Sequence, residues 1–215
     1  MRPSAREAGP RSYPTGKRVA ELAGDGARYW VVTVFYVVQH GDKQPQPGNP
    51  GLTDLGRRQA VRTAQWLRRE GLHGVFSSPL RRARETADII AAAASVPVTE
   101  DTRLRERMNW DGIEPFEEFL RQWAESVRDR SFVPRAGDSS AQAGERFRAF
   151  LRDLAGTRGP VAACTHGGVT VDLLRTLAGD QALGPRLLHD GIPPCAITTL
   201  EDQAIVAVAS VSHLR

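Results

Sequence analysis

Cysteine is scarce. The 215-residue chain has two, Cys164 and Cys195, both in apolar, strand-like stretches. That excludes a disulfide framework and makes a reducing cytoplasm the expected compartment. No apolar run is long enough to span a bilayer, so no membrane role is expected. The first residues, MRPSAREAGPRSYPTGKR, lack the apolar segment of a signal peptide. Charge of either sign is nearly balanced, with a formal net charge of +4. Residues 1–30 carry +3 of it, through Arg2, Arg6, Arg11, Lys17, Arg18 and Arg28 against Glu7, Glu21 and Asp25. A basic arm of this kind is compatible with an anionic partner. It has no interleaved aromatics and no nucleic-acid fingerprint, so it is read as a solvated extension without a nucleic-acid partner. His73, His189 and His213 stand isolated, without ligand spacing, and no metal is expected.

What is present divides into that arm, residues 1–28, and one domain, residues 29–215. The arm is rich in Pro, Gly, Ala and Arg and is expected to be weakly ordered, with a short helix around Lys17 to Ala23 as its one candidate element. The domain starts on an apolar, β-branched run from Trp30 to Val38, with Thr33 its one polar residue, which reads as a strand buried on both faces. It ends abruptly in Gln39-His40-Gly41. A Pro/Gly-rich loop follows, long enough to fold back over whatever His40 addresses. Thr53 then caps a helix from Asp54 to about Glu70, stopped by Gly71, with Ala60, Val61, Ala64 and Leu67 as its buried stripe.

Gly74 to Ser77 reads as a short strand. Ser78 and Pro79 open a second helix running to about Ala94, whose N-terminus lies at a strand's carboxyl end and offers an anion site. Further elements are a strand at Val96 to Thr99, helices at Pro115 to Arg128 and Ser139 to Ala155, and a strand at Pro160 to Thr165. That strand ends in His166-Gly167-Gly168 and leads into a helix from Val169 to Ala178. Two last strands are expected at Ala196 to Leu200 and Ala204 to Val211. This alternation predicts an α/β, three-layer sandwich with a mostly parallel central sheet and helices on both faces.

Two strands thus end in His-Gly, and between them a helix carries Arg81, Arg82 and Arg84 in its first turn. With GLTDLGRRQA at 51–60, SSPLRRARETA at 77–87, LRE at 104–106 and THGG at 165–168, the chain resembles the histidine phosphatase superfamily, the phosphoglycerate-mutase-like fold. The resemblance covers about residues 31–211. It implies a nucleophile at His40, a second phosphate-pocket histidine at His166, a phosphate-binding Arg82 and a proton donor at Glu106. Gln39, Gln46, Thr53 and Gly167 would complete the phosphate pocket, with Arg81 and Arg84 on the surface. It implies a phosphomonoester hydrolase acting through a phosphohistidine on a small phosphorylated metabolite, needing no cofactor.

The chemistry of these residue types fits those roles. A neutral imidazole attacks phosphorus if its other nitrogen is held as a donor. A guanidinium and a second imidazole offset charge on the equatorial oxygens. Glu106 would need a raised pKa to deliver a proton to a leaving alkoxide. One departure stands out. The family's first motif is Arg-His-Gly, and here Gln39 replaces the Arg, losing a charged bidentate grip. Two alternatives therefore stay open: a phosphoryl-binding module without turnover, and an enzyme acting on a substrate that lacks a dianionic phosphate. Lys43 is either a replacement charge or a solvated lysine. Met108, Asn109, Trp110 and Phe116 are either a specificity wall or, for the aromatics, core. Oligomeric state is not legible, though a dimer is compatible with the family.

Overall fold

A computed structural model describes residues 18–21, 28–184, 187–188 and 191–215. Most of the expected arm, including its expected helix outside residues 18–21, and His189 lie outside the described residues. Residues 18–21 themselves are not helical. They form strand β1 (Arg18–Glu21), which pairs antiparallel with β2 (Arg28–Val31) in a separate two-stranded ribbon.

The apolar run expected as one strand is therefore two. β2 ends at Val31, and the buried strand β3 is Val34–Gln39. Thr33 marks the break. Its backbone N–H donates to Asp202 Oδ1 at 2.9 Å instead of joining the ladder, and its hydroxyl donates to the Leu154 carbonyl at 3.3 Å. A polar residue inside an apolar run thus took its hydrogen bonds from loops, and the ladder stopped there.

The remaining elements are α1 (Asp54–Leu67), β4 (Gly74–Ser77), α2 (Arg81–Ala94), β5 (Val98–Glu100), α3 (Phe116–Arg128) and α4 (Ser140–Asp153), then β6 (Val161–Thr165), α5 (Gly167–Ala178), β7 (Ile197–Glu201) and β8 (Ala204–Ser210). The six-stranded sheet has the order β5-β4-β6-β3-β7-β8. Its first four strands are parallel, and β7 and β8 run antiparallel at the edge.

β3 sits mid-sheet and is buried along its whole length. Alternate side chains feed two cores, as the period of two requires. Val34, Tyr36 and Val38 pack with Ala64, Leu67 and Ile90 of α1 and α2. Phe35 and Val37 pack with Phe147, Phe150 and Leu173 of α4 and α5. Helices on both faces give the three-layer α/β sandwich. Val61, expected in the buried stripe of α1, is 44% exposed, and the inward place is taken by Thr63.

Two helix starts differ from expectation. α2 begins at Arg81, because Leu80 is still extended and the Ser78 hydroxyl accepts from the Leu80 N–H in a turn. The Arg81 N–H is taken by Asn49 Oδ1 at 2.7 Å, so one N–H of the expected anion site at this helix end is bonded to the protein's own loop. α5 begins at Gly167, directly after His166.

Candidate active site

Strand register brings the two His-Gly segments together. Gln39 pairs with Thr165 across β3 and β6, and the His40 N–H donates to the Thr165 carbonyl at 3.0 Å. Both histidines therefore leave the sheet at one level, at the carboxyl edge where parallel sheets bind ligands. Their ring centroids are 5.2 Å apart.

His40 has a defined tautomer. Its Nδ1 lies 2.7 Å from the Gly41 carbonyl, which can only accept, so Nδ1 carries the proton. Nε2 is left with its lone pair and receives N–H groups from Arg82 Nε at 3.2 Å and Gln39 Nε2 at 3.3 Å. That lone pair also fixes the Gln39 amide, whose nitrogen must face the ring. Gln39 Oε1 is then buried without a partner. Burial, with the Arg82 charge next, lowers the His40 pKa to about 3, against the bond to Gly41. The ring is neutral at physiological pH.

His166 is fully buried, and its Nε2 lies 2.7 Å from Ser78 Oγ. With the Ser78 hydroxyl proton given to Nε2, the ring proton sits on Nδ1; Ser78 Oγ also accepts from the Leu80 N–H. Nδ1 has no partner. Burial, then Arg82 and His40, hold the His166 pKa well below its ordinary value. Arg82 is 4% exposed, bonds to Asn109 Oδ1 through Nη2 and leaves Nη1 buried and unpartnered. Arg82 Nη1 and His166 Nδ1 thus lie buried without partners, on residues that each neighbour the neutral His40 ring. A buried donor without a partner costs about 1–3 kcal/mol, a cost that an oxyanion bonded to Arg82 Nη1 would remove.

Both rings would take a proton near pH 6.5 in the unfolded chain but stay neutral in the fold. The unfolded state then binds more protons below that pH. Stability is complete above about pH 6.5 and falls as pH drops toward 3. At pH 5 His40 alone removes on the order of 2 kcal/mol. Thermal unfolding followed from pH 8 to pH 5 should show a falling Tm, with a shallower fall in His40→Gln. Equal slopes in the two proteins would contradict this.

Glu106 closes the base. Its oxygens accept N–H groups from Gly168 at 3.0 Å and Val169 at 2.8 Å, the first turn of α5, and from Arg107 at 2.9 Å. Gly168 is required here, since a Cβ would stand 2.6 Å from Glu106 Oε1 and 2.5 Å from the Trp123 ring. The buried Arg107–Asp172 pair, 2.7 Å, ties the segment to α5, and Arg107 stacks over Trp123 at 4.0 Å.

The sequence candidates do not all share one space. His40, Arg82, Glu106, Gln46 and Lys43 line a chamber of about 290 Å³, walled by Met108, Asn109, Trp110 and α3. Gln39 and Gly167 instead line a neighbouring cavity of about 280 Å³, which shares Glu106 and Trp123 with the chamber. His166, fully buried, lines neither, and nor does Thr53. Its hydroxyl accepts from the Gly56 N–H at 3.0 Å and donates to Asp42 Oδ2 at 2.6 Å, anchoring α1 to the loop after His40. Gly56 allows that approach: a Cβ there would lie 2.1 Å from the Asp42 carbonyl oxygen. The Pro/Gly loop does fold over the site, with Gly48 bonded to Trp110 and Asn109. Arg81 and Arg84 face outward, paired with Glu85 and Asp88.

Sequence reading missed Ser78, taken for a helix cap, and Asn109 as the clamp on Arg82. It also missed Thr86, whose hydroxyl accepts the Gly41 N–H at 3.1 Å. No group of three or more metal-ligating side chains occurs among the described residues, and no helix there is long and apolar enough to cross a membrane.

Residues 35–205 match the family model of the histidine phosphatase superfamily, branch 1. The chain belongs to that superfamily. A Yersinia pestis protein named "Probable phosphoglycerate mutase GpmB" is 32% identical, over 81% of this chain and 87% of its own length. Among solved structures, mycobacterial glucosyl-3-phosphoglycerate phosphatase with inorganic phosphate is 24% identical, with a TM-score of 0.65, covering 83% of this chain and 95% of that one. Phosphoserine phosphatase from Entamoeba histolytica, in complex with 3-phosphoglyceric acid, is 23% identical. Its TM-score is also 0.65, and the match covers 85% of this chain and all of that one. These structures share the fold.

Proposed function

We propose that the protein hydrolyses phosphomonoesters of small metabolites through a phosphohistidine on His40. The observation that carries this is the neutral His40 imidazole, its Nε2 lone pair free of a proton, beside a buried Arg82 whose Nη1 has no partner. Family membership and the phosphatases and mutase among its relatives support phosphoryl transfer as the reaction class.

The reaction runs in two halves. In the first, Arg82 and Gln39 turn their N–H groups from His40 Nε2 to the phosphoryl oxygens. Nε2 attacks phosphorus, and the P–O bond to the leaving group breaks. Arg82 and His166 offset charge on the equatorial oxygens. Glu106 passes a proton to the leaving oxygen, which departs as an alcohol. In the second half, the Glu106 carboxylate takes a proton from water as that water attacks phosphorus, and the P–N bond breaks to return His40. Gln46, which lines the chamber from the loop, would bond the phosphoryl group, and Gly167 lines the cavity on the Gln39 side.

Rapid quench during turnover of a simple alkyl phosphate tests this. Protein-bound phosphate, stable to alkali and lost in acid, is expected together with free phosphate. Absence of both would remove the proposal.

Lys43 and Arg82 are the cations lining the chamber. Burial, then Arg82, lowers the Lys43 pKa, against Asp42. Lys43 takes part of the role that Gln39 gives up. Lys43→Met is expected to raise the KM for phosphomonoesters about three- to tenfold, with a smaller salt dependence than the wild type. An unchanged KM in low salt would show a solvated lysine.

A second reading rests on Gln39 Oε1. An acceptor buried without a partner is not satisfied by a phosphate oxygen, but a substrate N–H or O–H would satisfy it. That favours a substrate whose reacting group carries a donor and less charge.

A further inference from the structure

α3 is amphipathic in an unusual sense. The residues it buries are polar, Gln122 and Ser126, while its apolar stripe is left half-open. Phe116, Phe119, Leu120 and Trp123 fall at i, i+3, i+4 and i+7, the spacing of a core-facing surface. Here that surface faces the chamber above His40 and Arg82. Phe116 is 45% exposed and Leu120 46%. Trp110 extends the wall, its ring 4.8 Å from that of Phe116, with Phe119 next along the row.

The polar groups of this wall are already engaged. Trp110 Nε1 donates to the Glu114 carbonyl at 2.9 Å, so it offers a ligand only its ring. Asn109 gives Oδ1 to Arg82 and one N–H of Nδ2 to the Gly48 carbonyl. Glu106 is held by backbone N–H groups. Along α3 and Trp110 a substrate's organic part meets rings, Leu120 and Met108, while the polar side chains of the loop, Lys43 and Gln46, are given to the phosphoryl group in the proposal above. A carboxylate or a set of hydroxyls there would lose water without gaining partners. At about 290 Å³ the chamber is at the small end of ligand pockets, room for a phosphoryl group and one ring.

We infer that the organic part of the substrate is a flat, apolar group on an alcohol oxygen, seated against the α3 stripe and Trp110, with no second anionic group. This rests on the phosphomonoesterase proposal above.

The test compares esters whose leaving oxygens are all aliphatic, so that leaving-group chemistry does not set the order. The full chain is assayed with 2-phenylethyl phosphate, ethyl phosphate, phosphoserine and 3-phosphoglycerate. 2-Phenylethyl phosphate is expected to exceed each of the others at least tenfold in kcat/KM, the effect of burying one ring. In Phe116→Ala and Leu120→Ala, both truncations of half-exposed side chains, the ratio between 2-phenylethyl and ethyl phosphate should fall about tenfold. A rate on phosphoserine or 3-phosphoglycerate that equals or exceeds that on 2-phenylethyl phosphate overturns the inference and leaves the phosphatase proposal standing. Binding of 2-phenylethylphosphonate, measured by calorimetry against inorganic phosphate, separates the other case. Tighter binding of the phosphonate, lost in Phe116→Ala, upholds the assigned group even if no ester turns over. Equal binding overturns it.

Discussion

His40→Ala is expected to lower phosphate release by roughly 10⁴-fold or more, and to abolish protein-bound phosphate. The size follows from what the side chain does. It supplies the atom that bonds to phosphorus, and no neighbour can take its place. His166 is fully buried, and its Nε2 is held by Ser78 Oγ. Binding should survive. Arg82 and His166 keep their donors, and removing the ring frees the Arg82 Nε–H that now points at it. Vanadate or inorganic phosphate should therefore bind the variant within a few-fold of the wild type. Turnover within tenfold of the wild type would show that phosphorus is attacked by water directly, and that His40 only shapes the pocket.

That prediction uses residues the sequence displays well. His40 and His166 each follow an apolar run and precede glycine, and Glu106 sits in a short polar connection. Their assembly depends on register. Gln39 opposite Thr165 is a pairing between positions far apart in the chain, and strand patterns alone do not specify it. Ser78 shows the limit. Serine before proline at a helix start has a local explanation, so its bond to a histidine 88 residues away leaves no trace in the sequence. The α3 stripe shows another. Phe116, Phe119, Leu120 and Trp123 have core periodicity, and periodicity does not say whether a protein or a ligand covers the face. Trp110 and Phe116 stood equally as wall or core until the half-open face placed them in the chamber wall. Thr33 had the opposite fate. One polar residue in nine is compatible with a strand by pattern alone, yet its buried hydrogen bonds to Asp202 and Leu154 end the ladder.

Gln39→Arg is the second change with a large expected effect, and it acts through charge. Gln39 donates a neutral hydrogen bond to His40 Nε2 and borders the cavity of about 280 Å³ beside the chamber, so a guanidinium has space without displacing the core. A charge-assisted bond to a phosphoryl oxygen is worth about 1.5–3 kcal/mol, against about 1 for a neutral one. The variant should therefore gain about two- to thirtyfold in kcat/KM for phosphomonoesters, with a comparable tightening of inorganic phosphate as inhibitor. The added charge also holds His40 neutral, so the nucleophile is not lost. Lys43 sharpens the result. If Lys43 already supplies part of the missing charge, the gain from Gln39→Arg is larger in a Lys43→Met background than in the wild type, and the two changes are not additive. A drop in phosphomonoester turnover on adding the arginine would point the other way. It would mean that the uncharged amide, with its unpartnered Oε1, is matched to a substrate bearing a hydrogen-bond donor and one negative charge fewer. The sign of this one change therefore distinguishes a weakened phosphate grip from a site adapted to a less charged substrate.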